Sequence, residues 1–150
     1  MTLLSDSLSA NLILQDGTVY QGKGFGSLEN GYGEVVFTTG MTGYQEMLTD
    51  PSFAGQIINI TYPIVGNYGI SNNNIESEKI QATGLIIRNL CEYPSHSSST
   101  MTLDNYLKKE GIPGIYEIDT RSLAKKIRSS GVMMGAIAFE RQTEEIIEKL

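Results

Sequence analysis

Apolar residues recur along this chain first in short runs of strand length and later at helical spacing. Residues 12–15 (LILQ) and 19–23 (VYQGK) predict two short strands joined by Asp16 and Gly17, a dipeptide that favours tight hairpins. Further β-branched runs at 34–38, 57–62, 84–88, 115–118 and 136–139 bring the predicted strands to about seven. Helices are marked by their punctuation. Thr102 caps a helix with Leu103, Tyr106 and Leu107 on one face, Asp104 in its first turn, Lys108 and Lys109 in its last, and Gly111 as its stop. Asp119 or Thr120 caps a second, whose stripe is Leu123, Ala124 and Ile127 and whose stop is Gly131.

A third amphipathic pattern begins at Thr143 and places Ile146, Ile147 and Leu150 on one face. It is expected to pack back on the core or to lead into further chain. The polar run SNNNIESE at 71–78 predicts a surface loop. A shorter helix is expected in TGMTGYQEMLTDPSFAGQ, residues 39–56. There Thr42 and Gln45 stand at capping-box spacing, and Tyr44, Met47 and Leu48 form the apolar face. Asp50 before Pro51 either ends that helix or caps a new turn with Pro51 at its first position. Ser52 then lies at a helix amino end, where unpaired amides and its hydroxyl are expected to be available to a ligand carboxylate or carbonyl; plain first-turn capping is the simpler local reading.

With 150 residues, 40% hydrophobic and 19% charged, one globular core is expected, and no run is long and apolar enough to span a bilayer. The net charge of −6 disfavours nucleic acid as a partner. Cations gather only at Arg121, Lys125, Lys126 and Arg128 on the second helix, where complementing the helix carboxyl end is the plainer explanation. The segment MTLLSDSLSAN has neither a basic leader nor an unbroken apolar stretch, so a cytoplasmic location is the expectation.

Candidate chemistry is sparse. The glycine-rich GKGFGSLENGYGE at 22–34 lacks the spacing of a phosphate loop and is expected to form a glycine-permitted turn or bulge. Cys91 and His96 are the sole thiol and imidazole. A nucleophile and base pair between them is weighed against a small apolar cysteine and a solvated histidine, the simpler reading. A lone cysteine forms no internal disulfide, and no metal-ligand spacing is present.

The string VFTTGMTGYQEMLTDPSFAGQIINITYPIVGNYG at 36–69 resembles the amino-terminal domain of the small, glutamine-hydrolysing subunit of carbamoyl phosphate synthetase. The similarity continues through ESEKIQATGLIIR, LDNYLKKEGIPGI and IDTRSLAKKIRSSG, colinearly over roughly Leu12 to Phe139. The resemblance implies a mixed α/β domain of the layered β/β/α swivelling type over 12–139. Residues 1–11 would be an amino-terminal extension, and 140–150 the start of a connection to a carboxyl-terminal glutaminase domain of the same polypeptide. It further implies a non-catalytic scaffold that docks this glutaminase to the large synthetase subunit, with no cofactor in this fragment and ATP and Mg used by the large subunit. The product, carbamoyl phosphate, would serve arginine and pyrimidine synthesis. The serine of TDPS, here Ser52, is implied at the edge of the glutamine pocket. The alternative is a binding module that stands alone without a glutaminase. Two departures from the family pattern are Pro94 to Ser99, where an aromatic residue and an arginine are usual, and Glu117, where glycine is frequent.

Overall fold

The Asp16-Gly17 hairpin forms where the sequence predicts it, between β1 (Ser9–Leu14) and antiparallel β2 (Val19–Gly26). The computed structural model describes residues 9–39, 44–61, 64–65, 79–90 and 102–139. The remaining elements in chain order are β3 (Gly31–Thr38), α1 (Tyr44–Thr49), a 3-10 turn (Pro51–Phe53), β4 (Gln56–Ile60) and β5 (Ile64–Val65). After these come β6 (Gly84–Ile86), β7 (Asn89–Leu90), α2 (Leu103–Glu110), β8 (Pro113–Tyr116), α3 (Thr120–Ser130) and β9 (Met134–Phe139). The segment SNNNIESE and the stripe at Ile146, Ile147 and Leu150 lie outside the described residues.

Seven strands close into a barrel in the order β1-β2-β8-β6-β4-β3-β9, while β5 and β7 form a separate parallel pair. β3, β4, β6 and β8 run parallel, so each step between them needs a crossover, and α1 and α2 lie in the chain segments that supply two of these. The remaining barrel pairs are antiparallel. The mixed α/β class, strand-rich first and helical later, is thus what the described residues adopt.

Alternation along the strands sorts side chains to two sides. Ala10, Leu12, Leu14, Val35, Ile57, Ile86, Ile115 and Ile137 form one core with Leu123 and Ile127 of α3. On the other side of the same strands, Phe25, Ile58, Ile60, Leu85 and Ile87 pack with Leu48 of α1 and with Leu103, Tyr106 and Leu107 of α2. Each of the larger aliphatic side chains so buried contributes roughly 1.5–3 kcal/mol. Phe25 also meets Tyr116 edge-on, with ring centroids 5.9 Å apart.

The glycine-rich stretch departs from expectation. It is not mainly turn: Gly22, Gly24 and Gly26 are inside β2, and Gly31 and Gly33 inside β3. Crowding is the reason. A methyl group on Gly24 would collide with the Phe139 ring, and one on Gly135 of β9 would stand 2.7 Å from Val35 Cγ2. Low strand propensity is overridden where neighbouring side chains already fill the space. β1 also begins earlier than the run at 12–15 suggested, because Ala10 faces inward and pairs with both Gly22 and Phe139. β8 is likewise displaced toward the amino terminus, from the expected 115–118 to 113–116. Glu117 leaves it at φ 65°, a left-handed conformation that favours glycine. This is the position at which the resembled family often carries glycine.

Helix caps match the sequence. Thr102 accepts from the Asn105 amide at 3.2 Å and Asp119 from the Ser122 amide at 3.1 Å. Asp104 does more than favour a first turn: its Oδ1 accepts from the Gly26 amide at 2.6 Å, tying α2 to the end of β2. At the start of α3 the wholly buried Asn59 donates from Nδ2 to the Thr120 carbonyl at 2.9 Å, fastening the helix to β4. Lys126 reaches Asp16 at 2.8 Å, so the hairpin turn is tied to the same helix.

Two outcomes test these contacts. Gly135→Ala is expected to lower unfolding free energy by about 1–3 kcal/mol through overpacking against Val35, measured by chemical denaturation. The Lys126 hydrogen bond, followed by that from the Thr18 amide, holds the Asp16 carboxyl down to about 2 from 3.8. A depressed carboxylate contributes stability above its unfolded value, and that contribution fades as pH falls toward about 2. Because the pair is about one-third exposed the effect is small. In pH-dependent denaturation, Asp16→Asn should show a modest deficit above pH 3.8 that closes on acidification; a deficit independent of pH contradicts this origin.

Candidate functional site

Ser52 sits in a short connection whose two ends are held by one neighbouring segment. On the upstream side α1 buries Leu48 completely, and the Leu48 carbonyl accepts from the amides of Gln81 at 2.8 Å and Ala82 at 3.3 Å. On the downstream side the Gln56 carbonyl, at the start of β4, accepts from the Thr83 amide at 2.8 Å. Residues 81–83 therefore clamp the connection from both sides. Thr49, fully buried, closes α1 by donating its hydroxyl to the Glu46 carbonyl. Thr42 of the expected capping box lies outside the described residues, as do the side chains of Tyr44 and Gln45.

Between the clamps the sequence Asp-Pro-Ser-Phe makes a 3-10 turn. Asp50 is its cap with Pro51 at the first position, which is the restart foreseen for this dipeptide. Asp50 Oδ1 accepts from the Ser52 amide at 2.9 Å, and the Asp50 carbonyl accepts from the Phe53 amide at 3.0 Å. The Ala54 amide donates back to the Pro51 carbonyl at 3.1 Å. Phe53 is half-buried and packs against the core containing Leu48, while Pro51 and Ser52 are exposed.

One expectation is corrected here. Unpaired amides at this helix end were to be offered to a ligand, but those of Ser52 and Phe53 are taken by Asp50, and proline has none to offer. A turn of three residues satisfies its own donors. What remains for recognition is the Ser52 side chain on the exposed side of the turn.

The turn ends at Gly55, whose φ of 76° is the left-handed conformation that lets the chain swing into β4 without side-chain strain. Close approach matters at Gly33 on the adjacent strand, where a methyl group would stand 2.8 Å from Thr83 Oγ1 and would collide with the Gly55 carbonyl. Beside it Gln56 donates from Nε2 to Glu34 Oε1 at 3.3 Å. Of these supports, Leu48 and Asp50 are evident in the sequence. The clamp at Gln81 to Thr83 is not, since those residues carry no periodic pattern and act through backbone amides.

Cys91, His96 and the departure at Pro94 to Ser99 lie outside the described residues. The glycines of 22–34 are strand residues, without a helix to complete a phosphate loop. Among the described residues no group of three or more His, Cys, Asp or Glu side chains gathers to hold a metal ion, and no helix is long and apolar enough to cross a membrane.

Comparison with known proteins finds a family and relatives that match most of the chain. The family described as carbamoyl-phosphate synthase small chain, CPSase domain, matches residues 12–137. The carbamoyl phosphate synthase pyrimidine-specific small chain of Bacillus subtilis is 50% identical over 142 residues, covering 95% of this chain and 39% of that protein. The carbamoyl phosphate synthase small chain of Fusobacterium nucleatum is 51% identical over 140 residues, 93% of this chain and 39% of that one. The small chain from Nostoc is 51% identical over 148 residues, 98% and 38% respectively. The chain thus spans about two-fifths of the length of these relatives. A solved aminopeptidase from Aneurinibacillus aligns at a TM-score of 0.48 with 17% identity, over 87% of this chain and 30% of that one, a likeness too weak to carry any assignment.

The capped turn is open to test. Asp50→Ala removes the acceptor for the Ser52 amide, and a loss of about 1 kcal/mol in unfolding free energy is expected, read by denaturant titration. An unchanged midpoint shows that the clamps at Leu48 and Gln56 hold the turn without the cap.

Proposed function

The chain belongs to the carbamoyl-phosphate synthase small chain family, and from that premise we propose that it is the non-catalytic scaffold domain of a glutamine-dependent carbamoyl phosphate synthetase small subunit. In this reading a glutaminase domain elsewhere in the same polypeptide releases ammonia from glutamine. The large synthetase subunit, using ATP and Mg, combines the ammonia with bicarbonate. The present domain holds the two together in the cytoplasm and by itself turns over no glutamine. The carbamoyl phosphate formed serves pyrimidine and arginine synthesis. We read its barrel and outer helices as the β/β/α swivelling type.

A single local observation supports a part for this domain in glutamine recognition: Ser52 is exposed on a turn clamped at both ends, with its amide already satisfied. Loop residues held by a rigid scaffold are well suited to binding, because little ordering remains to be done when the ligand arrives. A hydroxyl in this setting can accept from the ammonium of glutamine or donate to its carboxylate. We therefore assign Ser52 to the rim of the glutamine pocket, with the rest of the pocket supplied by the glutaminase domain.

The test is Ser52→Ala in the full-length enzyme together with the large subunit. One hydrogen bond is worth about 0.5–1.5 kcal/mol, so the apparent affinity for glutamine should fall roughly two- to tenfold. Ammonia-dependent synthesis should be unchanged. An unaltered KM for glutamine removes Ser52 from the pocket, whereas loss of both activities points to damage of the fold.

A further inference from the structure

We propose that one flank of α3, carrying Arg121, Lys125 and Arg128, is a docking surface for an acidic protein surface. On the reading given above, that surface belongs to the large synthetase subunit. The helix has four cations and no carboxylate, on a chain whose net charge is −6. Thr120, Leu123, Ala124 and Ile127 make its buried face. At 3.6 residues per turn, Arg121, Lys125 and Arg128 then fall within a sector roughly 60° wide to one side of that face. Lys126 falls on the opposite flank, where Asp16 pairs with it at 2.8 Å.

The three cations of the stripe are exposed, and none takes part in an ion pair among the described residues. Arg128 lies over the Phe37 ring at 5.2 Å, a cation–π contact that leaves its charge unneutralised.

Helix stability does not account for this pattern. The positive end of the helix dipole disfavours a cation in the first turn, where Arg121 stands. Arg121 and Lys125 are four residues apart, a spacing at which like charges destabilise a helix by a few tenths of a kcal/mol. Only Arg128, in the last turn, complements the dipole. Two of the three cations therefore oppose the helix that carries them, and an anionic partner reverses the sign of both terms. The stripe spans seven helical steps, about 10 Å, which suits a row of carboxylates better than a single small anion. The remainder of the chain is strongly acidic and repels a nucleic acid that extends beyond the stripe. An acidic protein face, meeting the stripe alone, avoids that repulsion and gains from charge complementarity.

The experiment measures binding of the full-length small chain to its cognate large chain over a range of NaCl concentrations. Arg121→Glu with Lys125→Glu is compared with wild type and with Lys109→Glu, an exposed cation at the end of α2. We expect the double reversal to weaken binding at least tenfold at low salt and to flatten its salt dependence, with Lys109→Glu within twofold of wild type. The milder pair Arg121→Gln with Lys125→Gln should fall between, and circular dichroism melting confirms that each variant is folded. Equal binding by wild type and a folded double reversal overturns the docking surface while leaving the proposed function standing. Failure of the wild-type chain to bind the large chain overturns the proposed function itself. Retention of the wild-type chain on duplex DNA, lost in the double reversal, overturns the choice of an acidic protein as partner.

Discussion

A barrel closed by seven strands has too little room for a side chain at every inward position, and this limit organises the molecule. Gly24 yields its place to the Phe139 ring, Gly84 to Ile137 and Gly135 to Val35. The interior is then filled by large aliphatic groups from some strands because others contribute only backbone there. Packing at interior density leaves no slack for even one added methyl group at such points. The glycines that look like loop material are therefore structural members of the sheet.

Closure also determines where connections run. Parallel neighbours cannot be joined by a tight hairpin, so the chain must leave β3 and return along the outside before entering β4. That return path carries α1 and the 3-10 turn, and its apolar anchors, Leu48 and Phe53, belong to the core that α2 also covers. The backbone of residues 81–83, on the approach to β6, is positioned by the same sheet and grips the path at Leu48 and Gln56. Exposure of Ser52 is thus a consequence of barrel topology acting through three amides, with the aspartate cap fixing the local conformation.

Polar contacts act mainly as joints between layers. Asn59 to the Thr120 carbonyl fastens α3 to β4, Asp104 to the Gly26 amide fastens α2 to β2, and Lys126 to Asp16 ties α3 to the first hairpin. Each contributes modestly, yet the groups in the first two are shielded enough that losing one partner leaves another polar group unsatisfied. The same helix that is pinned by these joints exposes cations that form no ion pair among the described residues, so one face of α3 serves the fold and, on the reading proposed above, one flank is left for recognition.

Local chemistry alone determined much of this. The caps at Thr102, Asp119 and Asp50, the stop at Gly111, the hairpin at Asp16-Gly17 and the apolar stripes of α2 and α3 all depend on residues within a few positions of one another. The 3-10 turn that carries Ser52 followed from the Asp-Pro dipeptide before it. Barrel order, the glycine-filled strands, the left-handed Glu117 and the clamp at Gln81 to Thr83 were decided by the tertiary structure. Most of these depend on contacts between residues far apart in the chain, and they concern volume and unpaired backbone groups. Neither quantity leaves a periodic mark on the letters. A glycine required by a neighbouring ring and a glycine permitted by a turn read alike until the ring is in place.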